Sequence, residues 1–254
     1  MKTVLITGTT SGIGYALSKC FAEKHYNLVL VSRDSDKLAL QKRELEKYGV
    51  SIFTISKDLS KKGSALEIYQ ETKNENLVIS ILVNNAGFNE CGLFTDTTLE
   101  KELEMLQVHI LTLTELTKYY VIDMVNQRDG HVLNIGSIGS FSPFPVNAVY
   151  SASKAYVLSF SKAISSELRG TGVNVTTLCP GATKTEFAMK AKIEHTLLFK
   201  IFVMTSDKVA KAGYNALIKR KRVVVVGLYN KLMVMSMKIL PYFITARLSF
   251  LFLK

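Results

Sequence analysis

The chain has 254 residues, 48% of them hydrophobic and 21% charged, enough apolar side chain for one large core and too little polarity for a disordered chain. Its formal charge of +11 points to an anionic ligand or surface. The densest basic run, Lys219–Arg222, leads into an apolar strand and carries no interleaved aromatics, so no nucleic acid partner is expected.

Short β-branched runs recur along the chain: "TVLIT", "NLVLVS", "SIFTIS", "LVISILVN", "HVLNIGS", "NVTTLCP" and "RVVVVG". Longer helical patterns separate them: "ALSKCFAEK", "DKLALQKRELEKYG", "SALEIYQETKN", the long "LEKELEMLQVHILTLTELTKYYVIDMVNQ", "SASKAYVLSFSKAISSELRG" and "SDKVAKAGYNALIKR". Seven strands alternating with six helices predict an α/β fold, a doubly wound parallel sheet with helices on both faces. The strands are apolar almost throughout, which suits burial on both sides. Without a repeat or a Pro/Gly/Ser linker, residues 1–254 read as a single domain.

In such a sheet ligands bind beyond the carboxyl ends of the strands. The first strand runs into "TGTTSGIG", where Gly8, Gly12 and Gly14 let backbone approach a pyrophosphate and the next helix aims its N-terminus at the charge. The second ends at Ser32-Arg33, the third at Asp58-Leu59, and the fourth at Asn84-Asn85-Ala86-Gly87. The fifth ends at Ser137 and the sixth at Pro180-Gly181. Thirteen residues beyond Ser137 comes Tyr150, and Lys154 follows at i+4 on the same helical face.

"TGTTSGIG", Asp58-Leu59, "NNAG", the Ser137-to-Tyr150 spacing, "YSASK" and "PGATKT" together resemble the short-chain dehydrogenase/reductase family over nearly the whole chain. The resemblance implies a Rossmann-type sheet and a nicotinamide-dependent hydride transfer between a carbonyl and an alcohol. It places Ser137, Tyr150 and Lys154 at the reaction. It gives the dinucleotide Gly8, Thr10, Ser11, Gly12, Ile13, Gly14, Ser32, Arg33, Asp58, Leu59, Asn85, Ala86, Gly87, Pro180, Gly181, Thr183 and Thr185, with Tyr150 and Lys154 reaching the nicotinamide ribose.

Physical chemistry supports those roles. A ketone reduced by hydride needs a proton donor whose pKa lies near working pH. Bringing a phenol down from about 10 by roughly three units takes about 4 kcal/mol. A Lys ammonium about 5 Å away supplies about 3 kcal/mol at an effective dielectric of 20, and oxidised nicotinamide the remainder. Ser137 would hold the carbonyl oxygen as charge builds there. Ser32 stands where an acidic residue would accept a ribose 2′-hydroxyl, and the Arg33 guanidinium suits a 2′-phosphate. NADP(H) is therefore expected over NAD(H), with Asp34 diluting the field.

In one place the chain departs from the family. Where an Asn usually sits in the long fourth helix, helping to bind a water that links the Lys to solvent, this chain has His109. A neutral imidazole donates and accepts one hydrogen bond each, so either a relay or plain packing is open. The rival function is a non-catalytic dinucleotide-binding module that senses redox state or holds a partner, and His109 is its only support.

Four further expectations concern surroundings. Residues 187–205, with Phe187, Met189, Leu197–Phe199 and Ile201–Met204, read as an apolar lid, which favours a lipophilic carbonyl or alcohol as substrate. Leu103, Leu106, Ile110, Leu113, Leu116 and Tyr120 exceed one buried stripe, so a homodimer or homotetramer is expected. Three scattered cysteines and four unpaired histidines fit neither disulfides nor a metal, and the chain opens without a signal peptide, so a reducing cytoplasmic setting is expected. No charge-free 18-residue apolar stretch exists. The tail, residues 229–254, reads as two short amphipathic helices split at Pro241, with Lys231 and Lys238 on one face and Arg247 and Lys254 on another. It either meets a membrane interface peripherally or covers the cleft or a neighbouring subunit.

Overall fold

The computed structural model describes residues 1–186 and 203–253. Seven parallel strands form one sheet: β1 (Thr3–Thr7), β2 (Asn27–Ser32), β3 (Ile52–Ser56), β4 (Ile79–Asn84), β5 (Gly130–Ile135), β6 (Val173–Cys179) and, at the far edge, β9 (Val223–Val225). Their order, β3-β2-β1-β4-β5-β6-β9, reverses direction between β1 and β4. That reversal opens a crevice at the strands' carboxyl ends. A separate two-stranded pair, β7 (Thr183–Lys184) with β8 (Met204–Thr205), brackets the segment between them.

The helices are α1 (Gly12–Ala22), α2 (Ser35–Glu46), α3 (Ser64–Asn74), α4 (Leu99–Leu106), α5 (Leu113–Gln127), α6 (Ala148–Glu167), α7 (Ser206–Ile218), α8 (Leu228–Ile239) and α9 (Tyr242–Leu253). Strand alternation divides the core between two faces. Val4, Ile6, Leu28 and Leu30 pack with Leu17, Phe21, Leu38 and Val209. On the other side Leu5, Val29, Leu82 and Val132 pack with Ile68, Leu116, Tyr120 and Met124.

Two expectations change. The long fourth helix is not uniform: Gln107–Thr112 widens into a π-helical segment between α4 and α5, a feature often found beside functional sites. Of the six apolar residues assigned to a subunit interface, Leu113, Leu116 and Tyr120 are buried in the chain's own core, while Leu103 is exposed. The lid expectation lies mostly outside the described residues. Of its described members, Met204 is buried and Val203 exposed.

Candidate active site

The glycine turn closes against the loop after β4. Thr7 joins them: its Oγ1 accepts from the backbone N–H groups of Asn85 and Ala86, both at 3.0 Å. Asn85 Nδ2 donates back to the carbonyls of Thr7 and Gly8, both at 2.9 Å. Gly8 has φ +68°, and a Cβ there would lie 2.8 Å from Ala86 Cα. A Cβ on Gly14 would sit 2.0 Å from the Gly8 carbonyl oxygen. Only glycine fits either position. The turn thereby presents bare backbone at the start of α1, where Ser11 makes no side-chain cap bond. A helix start with uncapped N–H groups and no side chains in the way fits a pyrophosphate.

A cleft of about 330 Å³ runs along the crevice. Gly8, Thr10, Ser11, Gly12 and Ile13 line it from the turn; Ser32, Arg33, Asp58 and Leu59 line it from β2 and β3. Asn85, Ala86 and Gly87 follow from β4, and Pro180, Gly181, Thr183 and Thr185 from β6 onward. Thr10 and Ser32 share a hydrogen bond of 3.0 Å between their hydroxyls. Burial raises the Asp58 carboxyl, but hydrogen bonds from Ser60 and the charges of Arg33 and Lys61 outweigh it and hold the group below its usual range. Gly14 and His109 do not line the cleft; each stands directly behind it.

Ser137, Tyr150 and Lys154 meet in this cleft. Ser137 lies two residues beyond β5 and caps a short 3₁₀ turn, its Oγ accepting from Gly139 N–H at 3.1 Å. Lys154 is buried, and its Nζ donates to the Ile135 carbonyl at 3.0 Å. Nζ lies 5.8 Å from the centre of the Tyr150 ring. Burial pushes the Lys154 ammonium down to about 8. Burial likewise pushes the Tyr150 phenol up to about 12, against a hydrogen bond with Ser137 that favours the phenolate. Desolvation outweighs that hydrogen bond, and the Lys154 ammonium is turned towards Ile135. The site as built holds Tyr150 protonated.

His109 braces the site from behind. The Phe88 N–H donates to its Nε2 at 3.3 Å, so the proton of the neutral ring is on Nδ1. Nδ1 donates to Ser153 Oγ at 2.9 Å, and Ser153 in turn donates to the Tyr150 carbonyl at 2.7 Å. The ring also fills the space beside Gly87, where a Cβ would lie 2.4 Å from Nε2. Both nitrogens thus tie the loop after β4 to α6. Burial, and then the Lys154 charge, hold the imidazole well below its usual pKa.

That shift has a consequence for stability. Below pH about 6.5 the unfolded chain protonates this histidine and the folded chain does not, so stability falls as pH falls, by about 1.4 kcal/mol per unit. His131, lowered mainly by burial, adds to the slope. Urea unfolding of His109→Asn between pH 5 and 7 should show a shallower pH slope than the wild type, and an unchanged slope would contradict the buried neutral ring. His109→Leu, which removes both hydrogen bonds, should lose more activity than His109→Asn.

Several lining residues escape sequence reasoning. Phe88, Asn89, Val108, Phe144 and Asn147 form the wall beyond the catalytic trio. Asn89 Nδ2 donates to Asn147 Oδ1 at 2.7 Å, while Asn89 Oδ1 is buried with no protein partner among the described residues. Their one signal is position, Asn89 just past "NNAG" and Asn147 just before "AVYSASK".

A family model described as short chain dehydrogenase matches residues 2–196. The chain is 29% identical to the ketoacyl reductase HetN of Nostoc sp. over 89% of this chain and 78% of that one. It is 32% identical to a 7beta-hydroxysteroid dehydrogenase of Collinsella aerofaciens, covering 71% of this chain and 68% of the other. Among solved structures, a short-chain dehydrogenase from Sphingobium yanoikuyae in complex with NADPH superposes with a TM-score of 0.84 at 31% identity, over 90% of this chain and 89% of that chain. With the glycine turn, the crevice and the Ser137–Tyr150–Lys154 cluster in place, the chain belongs to the short-chain dehydrogenase/reductase family of oxidoreductases.

Proposed function

We propose that the chain is an NADP(H)-dependent reductase of lipophilic ketones or aldehydes, running in reverse as an alcohol dehydrogenase. The observation that carries this reading is the convergence of Ser137, Tyr150 and Lys154 in one cleft. A nicotinamide held between the glycine turn, the residues at the strand ends and the trio would supply the hydride for the carbonyl carbon. Ser137 orients the carbonyl oxygen by hydrogen bonding, and Tyr150 gives its phenolic proton to that oxygen as negative charge develops there. Lys154, a buried cation about one residue's reach away, stabilises the phenolate left behind until solvent reprotonates it. His109 keeps α6 and the loop after β4 in register, a positioning role. An intact trio argues against a non-catalytic binding module.

The lipophilic preference rests on the apolar wall of Phe88, Val108, Ile138 and Phe144. The ketoacyl and hydroxysteroid names of the relatives agree with it. NADPH consumption across a panel of long-chain, steroid and sugar carbonyls tests it; preference for the sugars would overturn it. A reducing, cytoplasmic setting is part of the proposal, on the scattered placement of the three cysteines along the chain. Exposed Leu99 and Leu103 extend one stripe with the partly exposed Leu106 and Ile110, and this stripe is assigned to contact between copies of the chain. A monomer by light scattering at micromolar concentration would remove that assignment.

NADP(H) is favoured by Arg33, which lines the cleft beside Ser32 with no acidic side chain at the end of β2. A charge-assisted contact to a 2′-phosphate contributes about 1.5–3 kcal/mol, roughly ten- to a hundredfold in affinity. NADPH should therefore bind at least tenfold tighter than NADH, and Arg33→Ala should erase most of that gap in a titration of nucleotide fluorescence. Equal affinities in the wild type would reverse the assignment.

A further inference from the structure

The charge of the chain is concentrated at one end. Residues 208–254 contain ten Lys or Arg and no Asp or Glu, so nearly all of the net +11 sits in this segment. Within it α8 is built the wrong way round for a core helix. Its inward face carries Asn230 and Val234, buried one turn apart, with Asn230 Nδ2 donating to the Val226 carbonyl at 2.7 Å. Its outward face carries Leu228, Leu232, Met235 and Ile239 at i, i+4, i+7 and i+11, between 52% and 75% exposed. On either side of Pro241, the exposed Leu240 and Phe243 extend the apolar surface towards α9. Lys231, Lys238 and Arg247 are exposed beside it.

The pair of helices is anchored rather than loose. Ser142 Oγ donates to Thr245 Oγ1 at 3.1 Å, and Lys238 Nζ lies 5.4 Å from the centre of the Phe141 ring. Both contacts are to the segment between Ser137 and Tyr150 whose Phe144 forms part of the cleft wall. An outward apolar stripe held in place beside a cleft, in a segment that carries cations and no acidic residue of its own, calls for an occupant that is apolar inside and anionic outside.

We propose that α8 and α9 dock the protein on the surface of an anionic lipid bilayer, lying in the interface with the Leu228–Ile239 stripe towards the acyl chains and Lys231, Lys238 and Arg247 at the headgroups. The helices do not span it: at twelve residues each is about 18 Å long against an apolar thickness of about 30 Å. Among the described residues no helix is long and apolar enough to cross a membrane. A second copy of the chain is a poorer occupant, since pairing this face with itself brings like charges together. The docking goes beyond the catalytic reading and stands whether or not that reading holds.

Flotation of the full chain with phosphatidylcholine vesicles, with and without phosphatidylserine, tests it. The wild type should float with the phosphatidylserine vesicles, release on added salt, and bind neutral vesicles far less. Leu232→Ser combined with Ile239→Ser should weaken binding at least tenfold with the thermal melt unchanged, because both side chains are already in water. Lys231→Gln combined with Arg247→Gln should weaken binding to anionic vesicles alone. Failure of the wild type to float would overturn the proposal, as would undiminished binding by the double serine variant. A drop in oligomer mass in that variant, without vesicle binding by the wild type, would assign the face to a second copy instead.

Discussion

Tyr150→Phe should lower kcat for carbonyl reduction by about 10²–10⁴-fold while leaving NADPH affinity within a few-fold. The substitution removes one oxygen and keeps the ring that packs 5.8 Å from His109, so the fold and the nucleotide cradle have no reason to change. What disappears is the proton. Of the trio, Tyr150 is the group assigned to deliver a proton to the carbonyl oxygen: Ser137 orients that oxygen, its aliphatic hydroxyl being too weak an acid to give its proton up, and Lys154 is turned to Ile135. Steady-state rates with a lipophilic ketone, beside a nucleotide-binding titration, check this. A phenylalanine variant turning over at the wild-type rate would remove Tyr150 from the mechanism.

Lys154→Ala should be damaging on two counts, with kcat down at least a hundredfold and NADPH affinity down about tenfold. Loss of a cation near a developing phenolate raises the barrier by about 3 kcal/mol at an effective dielectric of 20, a little over a hundredfold. Truncation also leaves the Ile135 carbonyl without its donor in a buried setting, worth about 1–3 kcal/mol of stability. Lys154→Met separates the two effects, because it keeps most of the packed stem without the charge. Its melt should lie closer to wild type than that of the alanine variant while its kcat stays low. Wild-type turnover in the methionine variant would show that the charge is not used.

The sheet was legible because each strand is a short β-branched run and each helix long enough to show its period; the polar residues at successive strand ends then marked the crevice. Thr183–Lys184 and Met204–Thr205 were not legible, since two-residue strands carry no period. The π-helical turn at Gln107–Thr112 has no compositional signature either, because an i→i+5 widening reflects tertiary contacts such as those His109 makes with Phe88 and Ser153. Periodicity located the apolar stripes of the fourth helix but could not tell which side faced in. Leu113 and Leu116 turned inward and Leu103 outward. The tail shows the same ambiguity resolved both ways: Pro241 splits it as its ring requires, one face of α8 packs on the body, and the more apolar face is left outside. For Tyr150, residue spacing brought the side chain to the cleft, but how deeply the site desolvates it is a tertiary property that spacing does not carry.

The central claim, that this cleft transfers hydride to a carbonyl with Tyr150 as proton donor, is tested most directly by isotope transfer. NADPH carrying deuterium at the transferable C4 position is incubated with a lipophilic ketone, and the alcohol is analysed by mass spectrometry for wild type and Tyr150→Phe. One deuterium on the carbinol carbon, formed by the wild type and lost with the phenolic hydroxyl, is the expected result. Tight NADPH binding with no labelled alcohol from any ketone or aldehyde tried would contradict it and leave the chain a dinucleotide-binding module without chemistry.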